Sequence, residues 1–309
     1  MTEPAGDAPP PTIGVVGLGN IGGAIAANLV ADGLAPTVTD ADPARAAGIE
    51  GAIAVGSVAE VAAASEVTIT SLPTPEVVGA VAEAWAGAAA PASILLDLST
   101  NLPDGNRQLA ERLDRSGHRF VEAPLTGGAM GARGRTLVFM VGGEPDAVDR
   151  VRPVLDRLGR ATFHLGPVGA GTTMKLVNSL LAFASTWSSL EGLSLAASAG
   201  IDLRTAVEVV RTGGASNFYI DRAVEGIGVR DRPVQFALGL AAKDARLIDE
   251  LARSADVPAP IAAALASVLG DAVERGLGDR DWGDRVVAAE ARSGRPLQLR
   301  PADEEGETP

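Results

Sequence analysis

The sequence predicts an α/β protein in which a doubly wound, mostly parallel sheet is followed by an all-α domain. Three observations support this. Short β-rich runs alternate with alanine-rich stretches in the first half, strand patterns stop after Gly166, and a long apolar helix pattern follows. The long helix is expected over residues 174–199, with Gly200 as its C-cap. Strands are expected at residues 12–16, 37–39, 67–70, 94–96, 120–121, 137–141 and 162–165.

These patterns divide the 309 residues into four segments. Residues 1–11 are rich in proline and are predicted to be a flexible tail, and residues 299–309 are predicted to be an acidic flexible tail. Between them, residues 12–166 form the predicted sheet domain and residues 167–298 form the predicted all-helical domain.

The composition excludes several classes of function. A net charge of −13 repels nucleic acids and anionic membrane surfaces, and 3% aromatic residues leave little for base stacking. No apolar run is long enough to span a membrane, and the N-terminus lacks the basic and apolar regions of a signal peptide. With no cysteine and two histidines, a metal site is not expected. We therefore expect a cytoplasmic protein that acts on a small molecule, without nucleic-acid or membrane partners.

A glycine fingerprint follows the first predicted strand and opens an alanine-rich helix. A tight turn of this kind lets the backbone approach a pyrophosphate, whose charge is stabilised by N–H groups at the helix N-terminus. The position directly after a strand makes the pattern more specific than an isolated glycine motif. The residues predicted to bind a dinucleotide here are Gly17, Gly19, Asn20, Ile21 and Gly22.

Asp40 ends the second predicted strand, 18 residues after Gly22. An acidic side chain at this distance accepts hydrogen bonds from the ribose hydroxyls and repels a 2′-phosphate. The sequence therefore predicts NAD as cofactor, with NADP less favoured. Asp42 is an alternative candidate for the same role.

Only two of the 26 basic residues are lysine, Lys175 and Lys243. Arginine stays protonated in proteins, whereas a desolvated lysine can lose its proton. Lys175 is therefore a candidate general acid/base for a hydroxyl proton, a role worth roughly 10²–10⁴-fold in rate. The alternatives are an exposed lysine at a helix start for Lys175, and an exposed ion pair with Asp244 for Lys243.

Further polar segments lie where parallel strands end, the edge at which such sheets bind ligands. The loops at residues 71–73 and 97–100 follow two strands, although on pattern alone loop capping explains each of them better than a ligand contact does. A Gly-Gly turn after Thr126 offers N–H groups and a hydroxyl to a carboxylate. Asn178 and Ser179 follow Lys175 at helical spacing and lie on its face of the helix.

Together, five segments in order resemble the β-hydroxyacid dehydrogenase family, which includes 3-hydroxyisobutyrate dehydrogenase and tartronate semialdehyde reductase. They are residues 17–23, 72–73, 97–100, 123–128 and 169–178, with a later Lys-Asp at 243–244. The resemblance implies a Rossmann domain, a helical domain for substrate and dimer contacts, and a homodimer or homotetramer. It implies interconversion of a small 3-hydroxyacid and its semialdehyde or oxoacid, with Lys175 catalytic. Implied substrate contacts are Ser99, Thr126, Gly127, Gly128 and Asn178, and implied dinucleotide contacts are Leu72, Pro73, Thr100 and Lys243.

The sequence departs from the family pattern at two positions. Ser179 stands where a second asparagine is common, and Thr126 where a serine is usual, so the identity of the acid stays open. The decarboxylating 6-phosphogluconate dehydrogenases carry a histidine and a glutamate where this chain has Asn178 and Ala182, so decarboxylation is not expected. An imine reductase using NAD(P)H and a non-catalytic NAD-binding module remain alternatives.

Overall fold

Six parallel strands form the main sheet of the computed structural model, which describes residues 11–229 and 232–299. They are β1 (Ile13–Val16), β2 (Thr37–Thr39), β3 (Ile53–Ala54), β4 (Val67–Thr70), β5 (Ile94–Asp97) and β6 (Arg119–Glu122). Their spatial order is β3-β2-β1-β4-β5-β6, the order of a Rossmann fold. This confirms the predicted fold class. Most residues of the two predicted tails, 1–10 and 300–309, lie outside the described residues.

A second, three-stranded sheet contains β7 (Leu125–Thr126), β8 (Leu137–Val141) and β9 (Gly159–His164). β7 is antiparallel to β8, and β8 is parallel to β9. The prediction missed β3 and β7, because two-residue strands show no alternation of apolar and polar residues. It also placed the last strand at 162–165, whereas β9 already begins at Gly159, directly after a helix.

Seven helices accompany these strands within the described residues. The apolar core includes strand residues such as Val15 and Ile69, with Ile25 and Leu29 of the first helix packed among them. Elsewhere Trp85 is fully buried and its indole N–H donates to the Thr68 hydroxyl over 2.8 Å. The helices are α1 (Gly22–Ala31), α2 (Pro43–Ala47), α3 (Val58–Ala64), α4 (Pro75–Ala86), α5 (Pro103–Arg115), α6 (Gly128–Arg133) and α7 (Pro145–Leu158).

Beyond residue 166 the described elements are all helical, as predicted. A π-helical turn (Val273–Leu277) and a 3-10 turn (Trp282–Asp284) complete this region. The long helix begins at Ala170, four residues before the predicted start. The helices are α8 (Ala170–Ser198), α9 (Leu203–Thr212), α10 (Phe218–Gly226), α11 (Leu238–Ser254), α12 (Pro260–Ala272) and α13 (Arg285–Ser293).

By its internal contacts the chain divides into two compact units between Lys175 and Leu176. The boundary near residue 166, and with it the ranges 12–166 and 167–298, stays a prediction. None of the helices among the described residues has the length and apolar character that a membrane span needs.

Candidate active site

The turn from β1 into α1 allows very close approach of backbone to backbone. Gly17 has φ +88°, and a Cβ on it would lie 2.5 Å from the carbonyl oxygen of Ser71. A Cβ on Gly22 would lie 1.9 Å from the carbonyl oxygen of Gly17. No side chain caps α1, whose N-cap residue is Ile21. The turn therefore has two features of a pyrophosphate-binding turn: glycines that allow close backbone packing, and a helix N-terminus with no side-chain cap.

Asp40 lies beside this turn. Its Oδ2 accepts from the backbone N–H of Leu18 over 2.6 Å, and its Oδ1 accepts from that of Asp42 over 2.9 Å. Each carboxylate oxygen has a second lone pair for a further donor, such as a ribose hydroxyl. Asp42 instead caps α2 through the N–H of Ala44, so the geometry favours Asp40 over Asp42. The guanidinium of Arg45 lies 3.9 Å from the Asp40 carboxylate.

The loops after β4 and β5 are joined by Ser99, which is buried. Its hydroxyl donates to Oδ1 of Asp97 over 2.6 Å and accepts from the N–H of Leu72 over 3.0 Å. A serine has one hydroxyl hydrogen, so Ser99 cannot donate to a substrate carboxylate while it donates to Asp97. Pro73, next to Leu72, is exposed, and Thr100, next to Ser99, has an intermediate exposure.

Two buried carboxyl groups lie side by side at the carboxyl ends of β5 and β6, because Asp97 and Glu122 are register partners. Asp97 also accepts from the Thr70 hydroxyl over 2.7 Å and from the Asn101 amide over 2.7 Å. Burial raises the pKa of Asp97, and these hydrogen bonds oppose the rise. The same balance holds for Glu122, whose pKa is raised chiefly by burial.

A continuous series of hydrogen bonds connects the two carboxyl groups. The Asn101 amide nitrogen donates to Oδ1 of Asn106 over 3.1 Å, and the Asn106 amide nitrogen donates to Oε2 of Glu122 over 2.6 Å. Asn106 also donates to the hydroxyl of Thr172, the third residue of α8, over 2.9 Å. We call Asp97, Asn101, Asn106, Glu122 and Thr172 the buried polar chain.

The predicted carboxylate cradle lies at the start of α6. Thr126 is half-buried, whereas Gly127 and Gly128 are exposed and have φ +122° and +61°. No side chain caps α6. Backbone N–H groups at such a turn suit an anion, but whether this one binds substrate stays a prediction.

The two lysines occupy different settings. Lys175 lies in the second turn of α8 and Asn178 follows three residues later, and both have an intermediate exposure. Lys243, on α11, forms an ion pair with Asp244 over 3.0 Å. The sequence interpretation allowed for an exposed pair, but only 10% of the Lys243 side chain and 5% of the Asp244 side chain are exposed. The pair exists, and it is buried.

Sequence reasoning did not single out Asn101, Asn106, Thr172 or the Glu122 carboxylate as site residues. A signal exists for two of them. Glu122 is the last residue of β6 and follows two apolar residues. Asn106 lies on the apolar face of α5 with Leu109 and Leu113. A polar residue in an apolar position indicates an internal hydrogen-bond partner. No group of three or more potential metal ligands occurs in the parts of the chain the structure describes.

Comparison with known proteins identifies the family. The profile described as the NAD binding domain of 6-phosphogluconate dehydrogenase matches residues 12–166. The profile described as NAD-binding of NADP-dependent 3-hydroxyisobutyrate dehydrogenase matches residues 169–287. The 2-(hydroxymethyl)glutarate dehydrogenase of Eubacterium barkeri is 30% identical over 91% of this chain and 96% of its own length. The chain belongs to the β-hydroxyacid dehydrogenase family.

Solved structures of relatives agree with this assignment. The 3-hydroxyisobutyrate dehydrogenase of Mycobacterium tuberculosis, solved with L-serine, has a TM-score of 0.81 at 27% identity, covering 91% of this chain and 99% of that one. The imine reductase of Streptomyces aurantiacus has a TM-score of 0.60 at 20% identity, covering 87% and 96%. This second, more distant likeness shows a shared fold alone.

The raised pKa of Asp97 predicts a specific dependence of stability on pH. The Asp97 carboxyl group binds its proton more tightly in the folded protein than in the unfolded chain. This difference stabilises the folded protein fully below about pH 4, where the carboxyl group is protonated in both states. The stabilisation is lost as the pH rises through the folded-state pKa of Asp97. We expect the free energy of unfolding of the wild type, minus that of Asp97→Asn, to fall over this range. Urea titrations at several pH values measure it, and a difference that rises with pH would contradict the raised pKa.

Proposed function

We propose that this protein is an NAD-dependent dehydrogenase that interconverts a small 3-hydroxyacid and its semialdehyde or oxoacid, without decarboxylation. The observation that carries the proposal is the position of Lys175, an ionisable amine in the second turn of α8, within the motif that the family places there. We further propose that it acts in the cytoplasm as a homodimer or homotetramer.

The glycine turn and the uncapped start of α1 fit the pyrophosphate of NAD, and Asp40 fits its adenosine ribose. Leu72, Pro73, Thr100 and Lys243 are the further proposed contacts. NAD, when bound, supplies the hydride acceptor for oxidation of the alcohol. The Arg45 guanidinium lies 3.9 Å from the Asp40 carboxylate, and that carboxylate would repel the 2′-phosphate of NADP.

The residues of the chain supply binding and proton transfer. In the oxidation, the Lys175 amine accepts the hydroxyl proton, and in the reduction it returns a proton to the carbonyl oxygen. The Thr126 hydroxyl, the N–H groups of Gly127 and Gly128 and the Asn178 amide are proposed donors to the substrate carboxylate. Ser99 belongs to this set only if its hydroxyl leaves Asp97 when substrate binds.

The two alternatives give different results with a substrate panel. The panel contains 3-hydroxyisobutyrate, glycerate, a small ω-hydroxyacid and a cyclic imine, and turnover is followed by NADH or NADPH absorbance. Turnover of the imine alone would identify an imine reductase. Tight binding of NAD without turnover of any compound would identify a non-catalytic module.

Lys175→Arg tests the proton transfer. Because arginine keeps the positive charge but cannot release its proton, we expect kcat to fall about 10²–10⁴-fold while NAD binding is retained. The measurements are steady-state kinetics on the best panel substrate and NAD titration by protein fluorescence. Partial recovery of Lys175→Ala activity by added methylamine would give independent support. Turnover near the wild-type rate in Lys175→Arg would contradict the assignment of Lys175 as the general acid/base.

Asp40→Ser tests the choice of cofactor. Loss of hydrogen bonds to a charged acceptor costs about 1.5–3 kcal/mol, so we expect kcat/KM for NAD to fall roughly 10- to 100-fold and that for NADP to rise. Asp42→Ser is the matched control, because serine preserves the helix cap and should leave both constants close to those of the wild type. A loss of NAD use in the Asp42 variant instead would assign the ribose to Asp42.

A further inference from the structure

The first turn of α8 is held by a side chain from another element. The five residues directly before α8 include no serine, threonine or aspartate that could cap it, and the last of them is Gly169. Instead Oε1 of Glu122 accepts the N–H groups of Gly169 over 2.7 Å and of Thr172 over 3.0 Å. Oε2 of Glu122 also accepts from the Thr172 hydroxyl over 2.9 Å. A carboxylate at this end of a helix satisfies its unpaired N–H groups and opposes the positive end of the helix dipole.

Backbone packing holds the same turn in place. A Cβ on Gly171 would lie 2.3 Å from the carbonyl oxygen of Met140 on β8. A Cβ on Gly142, the residue after β8, would lie 2.5 Å from Oε1 of Glu122 and 3.0 Å from the N of Gly171. The helix start therefore meets both the strand end and the carboxylate at distances that leave no space for a side chain.

This fixed turn lies one helical step before the proposed catalytic amine. Lys175 follows Thr172 by three residues and Gly171 by four, so it projects from the same side of α8. At its other end, the buried polar chain reaches Asp97, which holds the hydroxyl of Ser99. The start of α8 and the loop after β5 are thus connected by consecutive hydrogen bonds between buried side chains.

We infer that Glu122 is a positioning residue, which fixes the first turn of α8, and with it Lys175, relative to the loop that carries Ser99. The inference rests on the proposed function, because it assigns Lys175 a reaction to be positioned for. Glu122 is fully buried and both of its oxygens are occupied by donors of the protein, so it acts through α8 and does not touch substrate. The raised pKa of Glu122 agrees with a group that is enclosed on all sides.

Three variants test this positioning by kinetics. Glu122→Gln keeps the size of the side chain but places an amide nitrogen against the Asn106 amide nitrogen. Thr172→Val removes one hydroxyl at constant shape, and Thr172→Ser keeps that hydroxyl. We expect kcat to fall about 10- to 100-fold in Glu122→Gln and less in Thr172→Val, as for a misplaced reacting group. KM for NAD should change less than about threefold, and Thr172→Ser should retain nearly the wild-type kcat.

Two further measurements do not depend on turnover. Hydrogen exchange followed by mass spectrometry should become faster in the peptide that contains residues 169–176 of Glu122→Gln. Amine labelling should become faster at Lys175, while Lys243 in the same chain serves as an internal control, since these are the only two lysines. If Glu122→Gln does not fold, the Thr172→Val and Thr172→Ser pair carries all three measurements.

Thr68→Val is the control for a general loss of stability. It removes the hydroxyl that accepts the buried Trp85 N–H, and this hydrogen bond involves no residue of α8. It should lower the urea midpoint and leave kcat unchanged. If Glu122→Gln and Thr172→Val behave like this control, with α8 exchange and Lys175 labelling unchanged, the positioning role is overturned. If Lys175→Arg is fully active, the proposed proton-transfer role of Lys175 fails, while exchange and labelling still decide whether Glu122 fixes α8.

Discussion

Two carboxyl groups buried side by side, at the ends of β5 and β6, constrain the elements around them, and the arrangement of the site depends on them. Burying a charged or polar group is costly unless hydrogen bonds replace the lost water. Asp97 and Glu122 obtain those bonds from four different elements: β4, the loop after β5, α5 and the first turn of α8. The hydrogen bonds to these two buried carboxyl groups therefore connect elements that are far apart in sequence.

This constraint acts at the edge of the sheet where ligands of Rossmann domains bind. The strand order reverses direction between β1 and β4, and the glycine turn, Asp40 and the loop after β4 all lie at the carboxyl ends of these strands. At the ends of β1 and β2 this edge presents backbone groups and one acid, Asp40. At the ends of β5 and β6 it presents buried side chains. The first arrangement suits a phosphate, and the second supports the loop after β5 and the start of α8.

Local signals were sufficient for much of this architecture and insufficient for the rest. The residues of β2, β4 and β8 were predicted with their observed bounds, because apolar runs and the turn residues that end them are local features. The start of α8 was placed four residues late, because its cap is Glu122, about 50 residues away in sequence. The same reason applies to Ser99. Its motif was visible, but the commitment of its hydroxyl to Asp97 depends on how that side chain is buried. Long-range hydrogen bonding leaves few marks in a single sequence.

The scarcity of lysine has a different meaning for each of the two residues. The argument from composition was that a lysine among so many arginines is kept for an amine that can lose its proton. At Lys243 another reason is sufficient, since a buried guanidinium presents five donors to be satisfied and an ammonium presents three. Composition alone therefore no longer distinguishes Lys175. What distinguishes it is its place on α8, one turn after a helix start that a buried carboxylate holds fixed. A proton-transfer group needs a fixed position as well as a suitable pKa. The start of α8, held by Glu122, gives Lys175 that fixed position.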